Sequence, residues 1–93
     1  MQFQLRDYQV KPGQMTEWVS EWSAHIRPLR ERFGFRVVGA WTIADEHRFV
    51  WILAHADFET ADRSYYDSAE RRALEPDPAR HLARAVQHFM EPA

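Results

Sequence analysis

The segment Arg48–His55 (RFVWILAH) constrains this chain more than any other stretch. As a strand it sets Phe49, Trp51 and Leu53 on one face and Val50, Ile52 and Ala54 on the other. A sheet covered by helices on one side only would alternate apolar with polar residues. Here both sides are apolar, so both faces of the sheet need cover. A chain of 93 residues makes one domain, residues 1–93, with a single small core. The expected cover for the second face is therefore another copy of the same sheet, a homodimer.

The neighbouring segments supply the rest of the sheet. Residues 35–44 (FRVVGAWTIA) read as a strand that joins residues 48–55 through the short polar turn Asp45-Glu46-His47, a hairpin. A two- or four-residue turn would put His55 on one face with Arg36, Thr42 and Trp51, and a three-residue turn would reverse that registry. Residues 3–10 (FQLRDYQV) form a further strand, closed by Lys11-Pro12-Gly13.

Two helices follow from the 3.6-residue period. From Gln14 to Phe33, the residues Met15, Trp18, Val19, Trp22, Ile26, Leu29 and Phe33 fall within an arc of about 100°, the width of a core-facing stripe. Gly34 ends this helix as a cap. Pro28 removes the bond to the Ala24 carbonyl and predicts a bend beside His25. Asp57 is placed to cap a second helix, Phe58 to Ala73, with Phe58, Ala61, Tyr65 and Ala69 inward. Asp77-Pro78 opens a short helical turn to about Leu82. The tail Ala85–Glu91 reads either as a last strand, with Val86, His88 and Met90 on one face, or as an extension of that turn. With the strand, the order is β-α-β-β-α-β, a ferredoxin-like α+β fold.

Composition excludes several functions. Net charge is −2, with 12 basic and 14 acidic residues interspersed, so no basic face grips nucleic acid. The absence of Cys removes disulfides, thiolate metal sites and a Cys nucleophile. No apolar run approaches the roughly 18–20 residues of a membrane span. The start of the sequence runs directly into a strand without a signal pattern, and the expected address is the cytoplasm.

Particular residues resemble a known family. LRDYQVKPGQ (Leu5–Gln14), HIRPLRERFG (His25–Gly34), VVGAWT (Val37–Thr42) and the pair Asp62-Arg63 are similar to NIPSNAP proteins, in the same order along nearly the whole chain. That family belongs to the dimeric α+β barrel superfamily, with antibiotic-biosynthesis monooxygenases as relatives. The resemblance implies a barrel of two sheets with helices outside and a small-molecule cavity between sheet and helices in each subunit. It also implies a range of chemistry: cofactor-independent oxygenation, haem handling, or cyclisation and isomerisation by proton transfer. The chain contains no Asn, so the Asn-Trp-His constellation of haem-degrading relatives is missing. Trp51, Leu53 and His55 also depart from the family's usual third strand.

Candidate site residues follow from chemistry. His25 lies about 20° from Trp18 on the helical wheel, at the edge of the buried stripe, where a neutral imidazole suits proton abstraction. It equally suits a boundary residue capping a carbonyl freed by Pro28. His55, at the end of a strand, faces either a cavity or a dimer partner. Tyr65, pointing inward from the second helix, would position a substrate oxygen beside such a base or simply pack in the core. Tyr8 has the same two readings. Trp18, Trp22, Trp41 and Trp51 would line a flat slot for a small apolar or aromatic molecule, or fill the core. The five His form no i,i+4 pair, so no metal site is expected, and no cofactor either. The chain is thus expected to be a cofactor-independent monooxygenase, cyclase or isomerase of polyketide-type metabolism, or a non-catalytic ligand-binding or structural dimer.

Overall fold

The structure, a computed structural model, describes residues 1–93. Four strands, β1 (Gln2–Val10), β2 (Arg36–Ile43), β3 (Arg48–His55) and β4 (Leu82–Met90), form one antiparallel sheet in the order β2-β3-β1-β4. The helices α1 (Met15–Glu21), α2 (Arg27–Arg32), α3 (Phe58–Asp67) and α4 (Ala69–Arg72) lie against one face. The result is the expected α+β ferredoxin-like fold, only 18 Å thick along its shortest axis. That thickness is one sheet plus one helical layer. The second face of the sheet stays open within the subunit. No helix is long and apolar enough to cross a membrane.

Alternation along the central strands separates the two faces. Gln4, Arg6, Tyr8 and Val10 of β1 point under the helices and are buried, as are Phe49, Trp51 and Leu53 of β3. Leu5 pairs with Ile52 and Asp7 with Val50 on the open side. The core is dominated by aromatic edges: Trp22 meets Phe49 at 5.1 Å and Trp51 at 5.3 Å, and Tyr8 meets Trp18 at 5.7 Å. Such edge-to-face pairs hold ring orientations as well as burying area.

The first helix departs from the simple bend expected at Pro28. Between α1 and α2, Trp22–Ile26 widens into a π-helical turn, in which the Arg27 N–H donates to the Trp22 carbonyl. Pro28 has no N–H to offer and its ring crowds the preceding turn; opening that turn relieves both problems without breaking the helix. At the other end, the Phe35 N–H donates to the Arg30 carbonyl and the Gly34 N–H to the Glu31 carbonyl. This is a Schellman cap, and Gly34 adopts the left-handed φ of 86° that it requires. The cap folds Phe35 back over Arg30.

Further expectations change. The hairpin loop is Ala44–His47, four residues, since Ile43 pairs with Arg48, and His47 takes a left-handed φ of 53°. A bulge between Val37 and Gly39 then moves Arg36 opposite Ala54, so Arg36 leaves the face shared by Thr42, Trp51 and His55. The second helix does not run unbroken to Ala73. Ser68 is extended; its hydroxyl donates to the Tyr65 carbonyl and accepts from the Arg71 N–H, ending α3 and starting α4. Ala69 is therefore exposed, whereas Phe58, Ala61 and Tyr65 are buried as expected. Asp57 makes no side-chain cap; Gln2 Oε1 accepts from the Phe58 N–H instead. The tail is a strand, with Val86, His88 and Met90 opposite Asp7, Leu5 and Phe3 on the open face.

Candidate ligand cavity

A cavity of about 330 Å³ lies between the sheet and the helices. Its floor is Arg6 and Tyr8 of β1, Trp51 of β3, and Ala85 and Gln87 of β4. Trp18, Ile26 and Arg30 form the wall from the first helix, and Asp62, Tyr65 and Tyr66 the wall from α3. Arg71 closes it from α4, beside Ala79 and Leu82. The exposed members of this lining, Tyr66, Ala79, Ala85 and Gln87, place its mouth between β4 and the α3–α4 break.

At the closed end two buried arginines converge. Arg30 Nη1 donates to Asp62 Oδ1 at 2.6 Å, and Arg6 Nη2 donates to the same oxygen at 3.1 Å. Both guanidinium groups also donate to the Tyr66 hydroxyl, Arg6 at 2.9 Å and Arg30 at 3.2 Å. Arg6 Nε donates to Gln4 Oε1 at 2.7 Å. The Arg30 guanidinium lies 3.8 Å from the Tyr65 ring centre and 4.7 Å from that of Phe35. Stacking of a desolvated guanidinium on a tyrosine face is worth about 2 kcal/mol, which helps offset the cost of burying the charge. The Schellman cap and the inward face of α3 thus hold Arg30 between them.

Burial raises the Tyr8 and Tyr65 pKa values, against the opposing pull of Arg6 on Tyr8 and of Arg30 and Arg71 on Tyr65. Both therefore stay protonated near neutral pH and serve as hydroxyl groups, not bases. For Arg6, burial works against the charge, but Tyr8, Tyr66 and Asp62 outweigh it and hold the pKa above the ordinary value.

Of the residues anticipated from sequence, Tyr8, Trp18, Trp51 and Tyr65 share this cavity. Trp22 is buried in the core but does not line it. Trp41 pairs with Val50 and so stands on the open face, 53% exposed, lying over Gly39. His25 is exposed and borders a separate groove with Glu21, Leu74 and Glu75. His55 packs on Phe35 at 5.0 Å, and its Nδ1 accepts from the Asp57 N–H; it does not reach the cavity.

Sequence reasoning missed Arg6, Arg30, Asp62, Tyr66 and Arg71 as site residues. Two signals were present: Arg6 shares strand parity with Tyr8 and Val10, and Arg30 stands four residues after Ile26, about 20° beyond the edge of the apolar stripe. A separate cluster joins Glu17, Glu21 and His81, whose ligand atoms lie within 4.8 Å of one another. Both Glu21 oxygens accept from Arg80 at 2.8 Å, and His81 bridges Glu21 at 3.1 Å and Gln14 at 2.7 Å. The Arg80 and His81 contacts lower the Glu21 pKa to about 2. An arginine already occupying that carboxylate makes the cluster an ion-pair network tying the turn before β4 to α1.

A two-layer α+β fold is the class this architecture defines, and solved structures share it. The chain belongs to the NIPSNAP family, whose model matches residues 3–91. A NIPSNAP domain protein from Burkholderia xenovorans superposes with a TM-score of 0.87 at 18% identity, covering 100% of this chain and 95% of that one. A NIPSNAP family protein of unknown function from Agrobacterium tumefaciens gives 0.87 at 16% identity, with coverage of 100% and 88%. An antibiotic biosynthesis monooxygenase gives 0.66 at 15% identity, with coverage of 100% and 99%. At these identities the likeness concerns the fold. Comparison with curated protein sequences gives no significant match.

Proposed function

We propose that this protein binds one small, mainly apolar or aromatic molecule in the cavity of each subunit, and that it works as a homodimer joined through the open sheet faces. The observation that carries the binding reading is the cavity itself. A half-open space of about 330 Å³ lies beside Tyr8, Trp18, Trp51 and Tyr65, with the buried Arg6 and Arg30 at its closed end. A space of that size, mostly apolar with a few convergent polar groups, is what a small-molecule site requires. The homodimer rests on Leu5, Val50 and Ile52, which form an aliphatic strip on the open face, and on Trp41, 53% exposed beside it.

Binding without turnover fits better than catalysis. Cofactor-independent oxygenation, or a proton-transfer cyclisation or isomerisation, needs a base at the substrate. Neither His25 nor His55 lines the cavity, and Tyr8 and Tyr65 are held as phenols. Asp62, the one carboxylate in the lining, is already engaged by two arginines.

Native mass spectrometry of gently purified protein tests both parts. The expected species is a dimer carrying one small molecule per subunit, released chemically unchanged on denaturation. A monomer overturns the dimer, a dimer without a small molecule overturns the binding reading, and chemical conversion of that molecule when it is added back overturns binding without turnover.

A further inference from the structure

We propose that the ligand of this cavity is a carboxylate, a small apolar or aromatic acid whose anionic end meets the Arg6–Arg30–Arg71 cluster. The inference deepens the small-molecule reading above and rests on it.

Two independent features point the same way. The first is hydrogen-bond sign. Every buried side-chain polar atom that lacks a partner is an N–H: Nε1 of Trp18, Trp22 and Trp51, and Nε of Arg30 and Arg71. Four of these five belong to residues lining the cavity, Trp22 being the exception. No acceptor is left in that state. These N–H groups are sealed from the cavity surface, Trp51 beside the Tyr8 hydroxyl and Arg71 beside that of Tyr65, so they bias the potential of the space toward acceptors without bonding to its contents. The Tyr66 hydroxyl adds another donor. Its oxygen already accepts from Arg6 and Arg30, so its own proton is free to be given away.

The second feature is charge. Three guanidinium groups line the cavity against one carboxylate, Asp62. Asp77 engages Arg71 from outside at 3.0 Å, with its own side chain 53% exposed. Counting both carboxylates, one positive charge remains uncompensated. An amide or ketone would answer that bias but not the charge. A carboxylate answers both, and its two oxygens match the planar fork of a guanidinium. A phosphate ester, with about two negative charges, would overshoot the balance and face Asp62. The cavity volume, at the low end for ligand sites, suits an acid of one or two rings against the Trp and Tyr walls.

The test compares benzoate, cinnamate and 2-naphthoate with their primary amides on the full chain, read by quenching of Trp fluorescence, since Trp18 and Trp51 stand in the walls. Each acid is expected to bind about tenfold or more tightly than its amide, the margin of one charge-assisted hydrogen bond. Arg6→Gln and Arg30→Gln strip a partner from a buried network and risk unfolding. Arg71→Gln, near the mouth, is the cleaner variant. It should cut the acid-over-amide margin to less than about threefold, with the loss of acid affinity larger than any loss of amide affinity. Equal binding of acid and amide overturns the carboxylate and leaves the small-molecule cavity standing. An undiminished margin in Arg71→Gln overturns the assignment of the anion to this cluster. Failure of both series to bind overturns the cavity reading itself, and this inference with it.

Discussion

Arg6 and Asp7 are neighbours on β1, yet they serve two different surfaces. Arg6 points under the helices, where it is 3% exposed and shares Asp62 and Tyr66 with Arg30. Asp7 points to the open face, where it accepts from Arg48 at 2.7 and 3.1 Å. One face is an aromatic core with a cationic cluster set into it. The other is an aliphatic strip bordered by solvated ion pairs. Equal-looking arginine–carboxylate contacts therefore differ in consequence. Under the helices, water cannot replace a lost partner; on the open face of a free subunit it can.

The largest effect separating the two faces is expected at Arg30. Arg30→Met removes one partner of the buried network and the stack on Tyr65, and should cost about 3 kcal/mol in urea unfolding. A loss no greater than that of a surface substitution would erase the distinction between the faces. The next effect lies on the open side, and tests whether that face is covered by a second copy. Trp41→Glu places a charge beside the aliphatic strip and should weaken association by about 2 kcal/mol or more, read by sedimentation equilibrium. Unaltered association would move the dimer contact elsewhere.

The smallest effect is expected at Asp7→Asn, and it depends on pH. The hydrogen bond from Arg48, opposed by burial and aided by the charges of Arg48, Arg84 and His88, lowers the Asp7 pKa in the folded protein. A carboxylate whose folded pKa is depressed contributes stability above its unfolded value, about 3.9, and loses that contribution as the pH falls through the folded value. Thermal melts should thus show a modest deficit for Asp7→Asn at pH 7 that closes on acidification. A deficit at pH 7 as large as that of Arg30→Met would mean that the pair is shielded from water.

Much of the fold was legible because its signals are local. The period-2 pattern of β3, the apolar stripe from Met15 to Phe33 and the Gly34 cap each depend on residues a few positions apart. The chain-length argument that left the second face of β3 uncovered within the subunit also holds. The cavity was only half legible: Tyr8, Trp18, Trp51 and Tyr65 carry the aromatic signal, whereas the arginines read as ordinary surface charges. His25 and His55 drew attention through their chemistry and their places at a stripe edge and a strand end, but the structure sets both away from the cavity.

By itself the sequence determined the order of elements up to the chain's last segment, the apolar faces, the cap at Gly34 and the family to which the chain belongs. Only the tertiary structure decided the registry across the Val37–Gly39 bulge, the break at Ser68 that starts α4, and the strand at the chain's end. It alone brought Arg6, Arg30 and Asp62 onto one carboxylate oxygen from positions up to 56 residues apart. The physical reason is that burying a guanidinium is unfavourable on its own. Such a residue goes inward only where distant segments supply a carboxylate, a phenol and an aromatic face together, and no local pattern records that meeting.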